Sequence, residues 1–548
     1  MSANCSFGVN EEEEREEEID LNTLAKVKDK ELTLENMIND SNDEFNQNYA
    51  QIINQLSTKE IQDLEDNNQV EFYQSLLIKE KINSSLKIVF SSIDNQLKYI
   101  KKIICETMKA AVIGLGVEGK KALNSLLKHN WEVYASDLNI NIDLDNLPIS
   151  LAGVDISPQK DKISFIKDNL SIDLGFNNQE EIDLCDAVVL SPSIWGSKIA
   201  EHYKNSHKLL CDVITKHKNM FTIGVTGTNG KTTTVSMIKE ILENAGKNVL
   251  VGGNAGGGFE GYYDLILEAE NGDYDVLLVE VCDMTVGFCS YCFDFDLIAL
   301  TNMGNDHMNV HGSMEGYKDS LKGFFNGKTI FINENQEYAN EFKEVAESTI
   351  EYDETEYDLG LFGKFNKLNA GLSEAIANYI DKNVFNIDES IIKDSLENFK
   401  PVKGRLEVLK LNDCEIYIGK SDNSDAIKPI LEEVDFSAIF VGTPRHNENH
   451  RLDILNEVVN ANPKAIILFP GLEDTLDQAK YRLNSLNYKG RIEIANNLDE
   501  IIAFVAEFSH ENAILIGGNG QENIIKIQDR LKQICDSCNP KENKLMFE

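Results

Sequence analysis

Residues 222–234 read TIGVTGTNGKTTT. An apolar run of β type, Phe221, Ile223 and Val225, empties into a glycine-rich loop that ends in Gly230-Lys231-Thr232. The next residues, TVSMIKEILENAG, carry the period of an amphipathic helix. Strand, loop and helix in this order make a phosphate cradle. Gly227 and Gly230 let backbone N–H groups turn toward an anion, and the helix N-terminus adds partial positive charge. Lys231 is placed to reach terminal phosphates, and the Thr232 hydroxyl to hold Mg²⁺.

Composition bounds the rest. A chain of 548 residues is too long for one core and predicts about three domains. Its longest apolar runs, such as Val276–Val279 and Ala465–Phe469, are strand-length and far short of a membrane span. No basic segment followed by an apolar stretch opens the chain, so a cytoplasmic protein without a membrane partner is expected. A formal charge of −40 argues against general affinity for nucleic acid. Cys289–Cys292 and Cys535–Cys538 have the spacing of a metal or redox pair, but neither has a second ligand pair at finger spacing. Reduced thiols are the expectation.

Residues 1–107 differ in character from the rest of the chain. Glu11–Glu14 and Glu16–Glu18 form an acidic block of the solvated kind. Phe45, Tyr49, Ile52 and Leu56, then Leu86, Val89, Ile93, Leu97 and Ile100, recur at helical spacing. This predicts an acidic helical extension whose default role is structural or protein-binding. From Met108 the chain reads strand, Gly114-x-Gly116-x-x-Gly119, helix, strand and then Asp137, a Rossmann-type first unit with an acid where a ribose contact falls. Strand-like VLLVEV (276–281) and DLIALTN (296–302) come after the cradle and predict a parallel α/β sheet. From about residue 401 short strands recur at Glu415–Ile418, Ala438–Val441, Ala465–Phe469, Arg491–Ile494 and Ala513–Ile516. The expected boundaries are an extension at 1–107, a Rossmann-like substrate domain at 108–217, a central P-loop domain at 218–400 and a C-terminal α/β domain at 401–548.

The segment GVTGTNGKTT (224–233) resembles the ATP loop of the Mur ligase superfamily, and the likeness extends from Met108 onward. The resemblance implies a three-domain α/β architecture and an ATP-dependent ligase with ATP and Mg²⁺ as cofactors. Such an enzyme converts a carboxylate to an acyl phosphate that a nucleophile displaces. It implies ATP contacts from Gly227, Thr228, Asn229, Gly230, Lys231, Thr232 and Thr233. Glu280, at the end of an apolar strand, would hold Mg²⁺ with Thr232. TNMGNDHM (301–308) resembles the family's N-x-x-x-D-H segment, which gives His307 to a second metal and Asp306 to its orientation. Gly252-Gly253-Asn254 resembles the segment near the γ-phosphate and acyl group. Asn366 and Asn369 resemble the adenine-side N-x-x-N, and Gly404-Arg405-Leu406-Glu407 the hinge whose Arg reaches the nucleotide. Gly114, Gly116, Gly119 and Ser191 would line the substrate domain. Lys231, Glu280, His307 and Asn254 are the expected catalytic set.

Three positions depart from the family. The lysine that lies four residues after the Tyr of H-G-x-M-x-x-Y is Leu321 here, with Lys322 one step off the face. The His of G-x-H-N-x-x-N is Phe365. The third-domain loop for the incoming amino acid reads Gly419-Lys420-Ser421-Asp422-Asn423-Ser424. With GGNAGGGFEGY (252–262) and VEVCDMT (279–285), these departures resemble the methanogen ligases that complete coenzyme F430. There a propionate of a nickel-tetrapyrrole acid is activated and a ring carbon closes a carbocycle by C–C bond formation, without a second substrate. The alternative is an amino-acid ligase of pseudomurein or a related peptide. It requires convergent Arg or Lys in the third domain, for which Arg445 and His446 are candidates. A dinucleotide-binding regulator or dehydrogenase built on Gly114–Gly119 leaves Lys231, Glu280 and His307 without a joint explanation.

Overall fold

The computed structural model describes residues 107–142, 155–159, 162–167, 169–254, 258–304, 311–446 and 448–538. The expected acidic helical extension therefore lies outside the described residues. Thr107–Glu548 forms a compact unit with three six-stranded sheets. None of its described helices is long and apolar enough to cross a membrane.

The first sheet contains β1 (Lys109–Ile113), β2 (Glu132–Asp137), β3 (Asp155–Gln159), β4 (Lys162–Lys167), β5 (Leu170–Leu174) and β6 (Ala187–Leu190). Their order is β3-β4-β5-β2-β1-β6, parallel from β5 to β6 and antiparallel across β3, β4 and β5. Helix α1 (Val117–Lys128) follows the glycine turn and buries Ala122, Leu123 and Leu126 on one stripe. Gly114 adopts φ +90°, and a Cβ on Gly119 would lie 1.8 Å from the Gly114 carbonyl oxygen. The glycines thus let strand and helix approach. Gly119→Ala should lower the stability of this unit by about 1–3 kcal/mol, as overpacking against immovable backbone does, seen as a lower urea midpoint.

The second sheet is wholly parallel, in the order β12-β11-β10-β7-β9-β8. Its strands are β7 (Phe221–Thr226), β8 (Val249–Gly253), β9 (Val276–Glu280), β10 (Leu297–Leu300), β11 (Thr329–Ile332) and β12 (Ser348–Glu351). Both faces are covered, so the strands read as continuous apolar runs rather than alternating ones. Ile223, Val225 and Leu278 pack under α2 (Lys231–Asn244) and, with Ala370 and Ile376, under α4 (Lys364–Asn383). Leu277, Val279 and Ile298 face a core shared with the first sheet and with α3 (Met314–Phe325). The Tyr263 hydroxyl joins the two sheets, donating to the Leu190 carbonyl at 2.7 Å and accepting from the Leu190 N–H at 3.1 Å.

The third sheet runs β13-β14-β18-β15-β16-β17 and is parallel except for the edge strand β13 (Glu407–Leu411). The others are β14 (Cys414–Ile418), β15 (Ala438–Gly442), β16 (Ala465–Phe469), β17 (Arg491–Ile494) and β18 (Ala513–Gly518). Helix α5 (Ser424–Glu433) leaves the carboxyl end of β14 through the loop 419–423, capped by the Asn423 side chain. These sheets are the mixed α/β, multi-sheet architecture that the chain's motifs predict. Every described motif falls in this unit, so a chain starting at Met108 should fold and retain phosphate release. A folded truncation that binds no substrate would put the extension in the active site.

Candidate functional site

The glycine loop leaves β7 at the centre of the second sheet, where the strand carboxyl ends face a cavity of about 700 Å³. Gly227 sits at φ +129°, and a Cβ there would lie 2.3 Å from Thr301 Oγ1. Gly230, at φ +86°, is the N-cap of α2 and would meet Asn369 Oδ1 at 2.3 Å. No other residue fits either place. Thr228 N–H donates to the Asn302 carbonyl and Asn229 N–H to Asn302 Oδ1, both at 3.0 Å, so the neighbouring strand end holds the loop's shape. Gly230 supplies no side-chain cap, which leaves the first N–H groups of a 14-residue helix turned toward the cavity. Lys231 Nζ donates to the Gly227 and Thr228 carbonyls at 2.5 and 2.9 Å, folded back over the loop beside the anion's place.

Glu280 ends β9, flanked by Val225 of β7 and Gly253 of β8. It is 1% exposed. One carboxylate oxygen accepts from Asn254 Nδ2 at 3.0 Å, while Oε2 is buried with no hydrogen-bond partner among the described residues. A buried carboxylate oxygen of this kind is costly unless a cation completes it, and hard oxygen donors suit Mg²⁺. Arg405 crosses from the third sheet and donates to Thr232 Oγ1 at 2.5 Å. Burial lowers the Arg405 pKa from its ordinary value, opposed by the Glu280 and Asp422 carboxylates. A divalent ion on the Thr232 hydroxyl would displace this guanidinium. Asn369 lies beside Gly230 and donates to Asn366 Oδ1 at 3.2 Å, both amides being buried at the start of α4.

The structure thus gathers Thr228 to Thr233, Asn254, Glu280, Asn369 and Arg405 on one cavity wall. Gly114, Gly116 and Ser191 come together separately, at the carboxyl end of the first sheet: a Cβ on Gly114 would lie 3.0 Å from Ser191 Cβ. Asp137 caps its own glycine turn there, one carboxylate oxygen accepting from the Leu115 N–H and the other from the Asn139 N–H, both at 2.7 Å. His307 and Asp306 lie outside the described residues. The neighbouring His311 pairs with buried Asp283 at 2.9 Å.

Other expectations resolve differently. Arg445 is bound to Glu448 and His446 to Glu473, both half-exposed or more, and the cavity wall holds neither. Arg451, which sequence reasoning passed over, does line the cavity, together with Lys420 and Asp422. Asp422 accepts from Arg451 at 2.5 Å and lies 3.1 Å from Lys420 Nζ. Burial alone would raise the Asp422 carboxyl pKa, but Lys420, Arg451 and Arg405 hold it well below the carboxylate range. Asn229 and Asn423 exchange amide hydrogen bonds at 3.2 Å, joining the phosphate loop to the third sheet. Cys289 and Cys292 are core thiols; burial pushes the Cys289 thiol up to about 12. No group of three metal-ligating side chains occurs among the described residues.

Residues 225–358 match the sequence profile of the Mur ligase middle domain. The UDP-N-acetylmuramoylalanine–D-glutamate ligase of Petrotoga mobilis is 27% identical over 431 residues, covering 73% of this chain and 91% of the relative. The chain is similar to Mur ligases over most of its length, and its residues 225–358 carry their middle domain. The enzyme of the same description from Clostridioides difficile is 25% identical over 448 residues, covering 74% and 92%. A pseudomurein peptide ligase type C from Methanothermus fervidus aligns with a TM-score of 0.46 at 19% identity, covering 78% of this chain and all of that one. Against the Mur ligase pattern, Leu321 is fully buried on α3, and Lys322 pairs with Glu341 rather than turning to the cavity. Phe365 lines the cavity where the pattern has His.

Proposed function

We propose that this Mur-type ligase activates a carboxylate as its acyl phosphate with ATP and Mg²⁺ and joins it to an amino acid. Lys231 and the loop N–H groups hold the phosphates, Glu280 and Thr232 hold Mg²⁺, and Asn254 orients the Glu280 carboxylate. Mg²⁺ supplies charge neutralisation on the transferring phosphoryl group. Arg405 carries the third sheet against the nucleotide and excludes water from the acyl phosphate. In this reading His307 would serve a second metal, and Gly114, Gly116, Gly119 and Ser191 would line the substrate domain. The observation that carries the amino-acid reading is the pair Lys420 and Arg451 on the cavity wall. They are the convergent cations that an amino-acid carboxylate requires and that Arg445 and His446 do not provide.

Closure of a nickel-tetrapyrrole acid to coenzyme F430 is the second reading. It is favoured by residues 252–262 and by the altered loop Gly419–Ser424. One experiment separates them. Purified protein with ATP and Mg²⁺ is given either the seco nickel-tetrapyrrole acid alone or a UDP-linked peptide acceptor with amino acids. The amino-acid reading expects phosphate release only in the second mixture. Release with a shifted tetrapyrrole spectrum in the first would replace it by ring closure.

A further inference from the structure

Helix α6 (Gln521–Cys538) follows β18 and packs on the third sheet through Ile524, Ile527 and Leu531, buried with Ile416 and Ile418. Gln528 lies in the same stripe and is 1% exposed, an amide where the helical period calls for an apolar side chain. A buried amide is costly unless its hydrogen bonds are made. Those of Gln528 go to backbone. Its Oε1 accepts from the Gly404 N–H at 2.9 Å, and its Nε2 donates to the Arg405 carbonyl at 3.0 Å and the Ile418 carbonyl at 3.2 Å. One side chain thus ties the residues that lead into β13 to the last residue of β14.

The remaining backbone groups of Gly404 and Arg405 are engaged as well. The Gly404 carbonyl accepts from the Lys420 N–H at 3.0 Å, and the Arg405 N–H donates to the Val402 carbonyl at 2.8 Å. Gly404 has φ +80°, and a Cβ there would lie 3.1 Å from Gln521 Cγ and Ile525 Cγ1 of α6. Farther out, Lys403 pairs with Asp529 at 2.9 Å and Glu407 with Lys532 at 2.8 Å. Exposed ion pairs of this kind hold little. The buried, directional bonds of Gln528 are the stronger tie. From the backbone they fix, the Arg405 guanidinium reaches Thr232 at the start of α2.

We propose that Gln528 is a positioning residue for the nucleotide: it makes Arg405 part of the third sheet's rigid body. Contact of the guanidinium with phosphate and placement of that sheet over the cavity then occur as one event. Gln528 itself touches no substrate and acts through Arg405. The inference rests on the reading of this chain as an ATP-dependent ligase and holds for either nucleophile.

The test is a double-mutant cycle on the full chain, read by calorimetry as the Kd of a non-hydrolysable ATP analogue with Mg²⁺. Gln528→Met keeps the volume and removes the three hydrogen bonds. Gln528→Asn keeps an amide but is one methylene too short to span them, and it carries the cycle should the Met variant fail to fold. Arg405→Ala should weaken the analogue by about tenfold, as loss of a charge-assisted contact does. Gln528→Met should weaken it by about fivefold and Gln528→Asn by less. In the Arg405→Ala background neither change should weaken it further. A merely structural amide would weaken binding by the same factor in both backgrounds, and that result overturns the inference. So does an Arg405→Ala protein that binds as wild type does. Wild-type protein that binds no analogue would remove the ligase reading and this inference with it, whereas equal factors in a protein that binds ATP remove the inference alone.

Discussion

Lys231→Ala should reduce ATP-dependent phosphate release by about a thousandfold, the scale on which a preorganised charge at a transferring group acts. The ammonium is fastened to the Gly227 and Thr228 carbonyls at 2.5 and 2.9 Å, so it waits beside the phosphates instead of being recruited from solvent. Those same bonds set the cost to the fold. Losing them frees two loop carbonyls to water, about 1 kcal/mol, and the melting temperature should fall only slightly. Lys231→Arg should not rescue the rate, because the fork of a guanidinium does not fit between two carbonyls spaced for a point charge. A folded Lys231→Ala protein with near-normal turnover would remove the acyl-phosphate mechanism.

Glu280→Gln should raise the Mg²⁺ concentration for half-maximal rate by about tenfold or more and slow turnover by about a hundredfold. The amide keeps the volume and the neighbour Asn254 but loses the charge that a hard cation needs. The same change removes a buried carboxylate oxygen without a hydrogen-bond partner among the described residues. Metal-free Glu280→Gln should therefore melt no lower than wild type, and wild type should gain the larger stabilisation when ATP and Mg²⁺ are added. A Mg²⁺ titration identical to that of wild type would take Glu280 out of the metal site. The two variants are distinguishable, since Lys231→Ala should leave the Mg²⁺ dependence of any residual rate in place.

Much of this site was legible in consecutive residues. A phosphate cradle needs a strand, two glycines, Lys-Thr and a helix within one short stretch, so Phe221–Asn244 announces it without help from the rest of the chain. The same holds for the turn Gly114–Gly119 and for the strands β14 to β18, which run within single segments. Glu280 was readable because a carboxylate closing a wholly apolar run sits at a strand's end. The antiparallel strands β3, β4 and β13 were less so: their residues mix polar with apolar, and β13 alternates half-buried and exposed positions at an edge.

What a linear reading leaves open is which distant side chains share a charge. Asp137 has the spacing of a ribose ligand, yet its carboxylate closes on Leu115, a choice made by how β2 lies against β1. Lys420 and Asp422 fall in the altered amino-acid loop Gly419–Ser424. Only the packing of α5 and the segment around residue 451 brings Arg451 to them. Asn229 and Asn423 meet across 194 positions. Local chemistry, the phosphate cradle and the strand ends, comes from backbone conformation and hydrophobic period, which neighbouring residues fix. Charge pairing in the cavity comes from where the second and third sheets set their carboxyl ends, and no pattern along the chain encodes that distance.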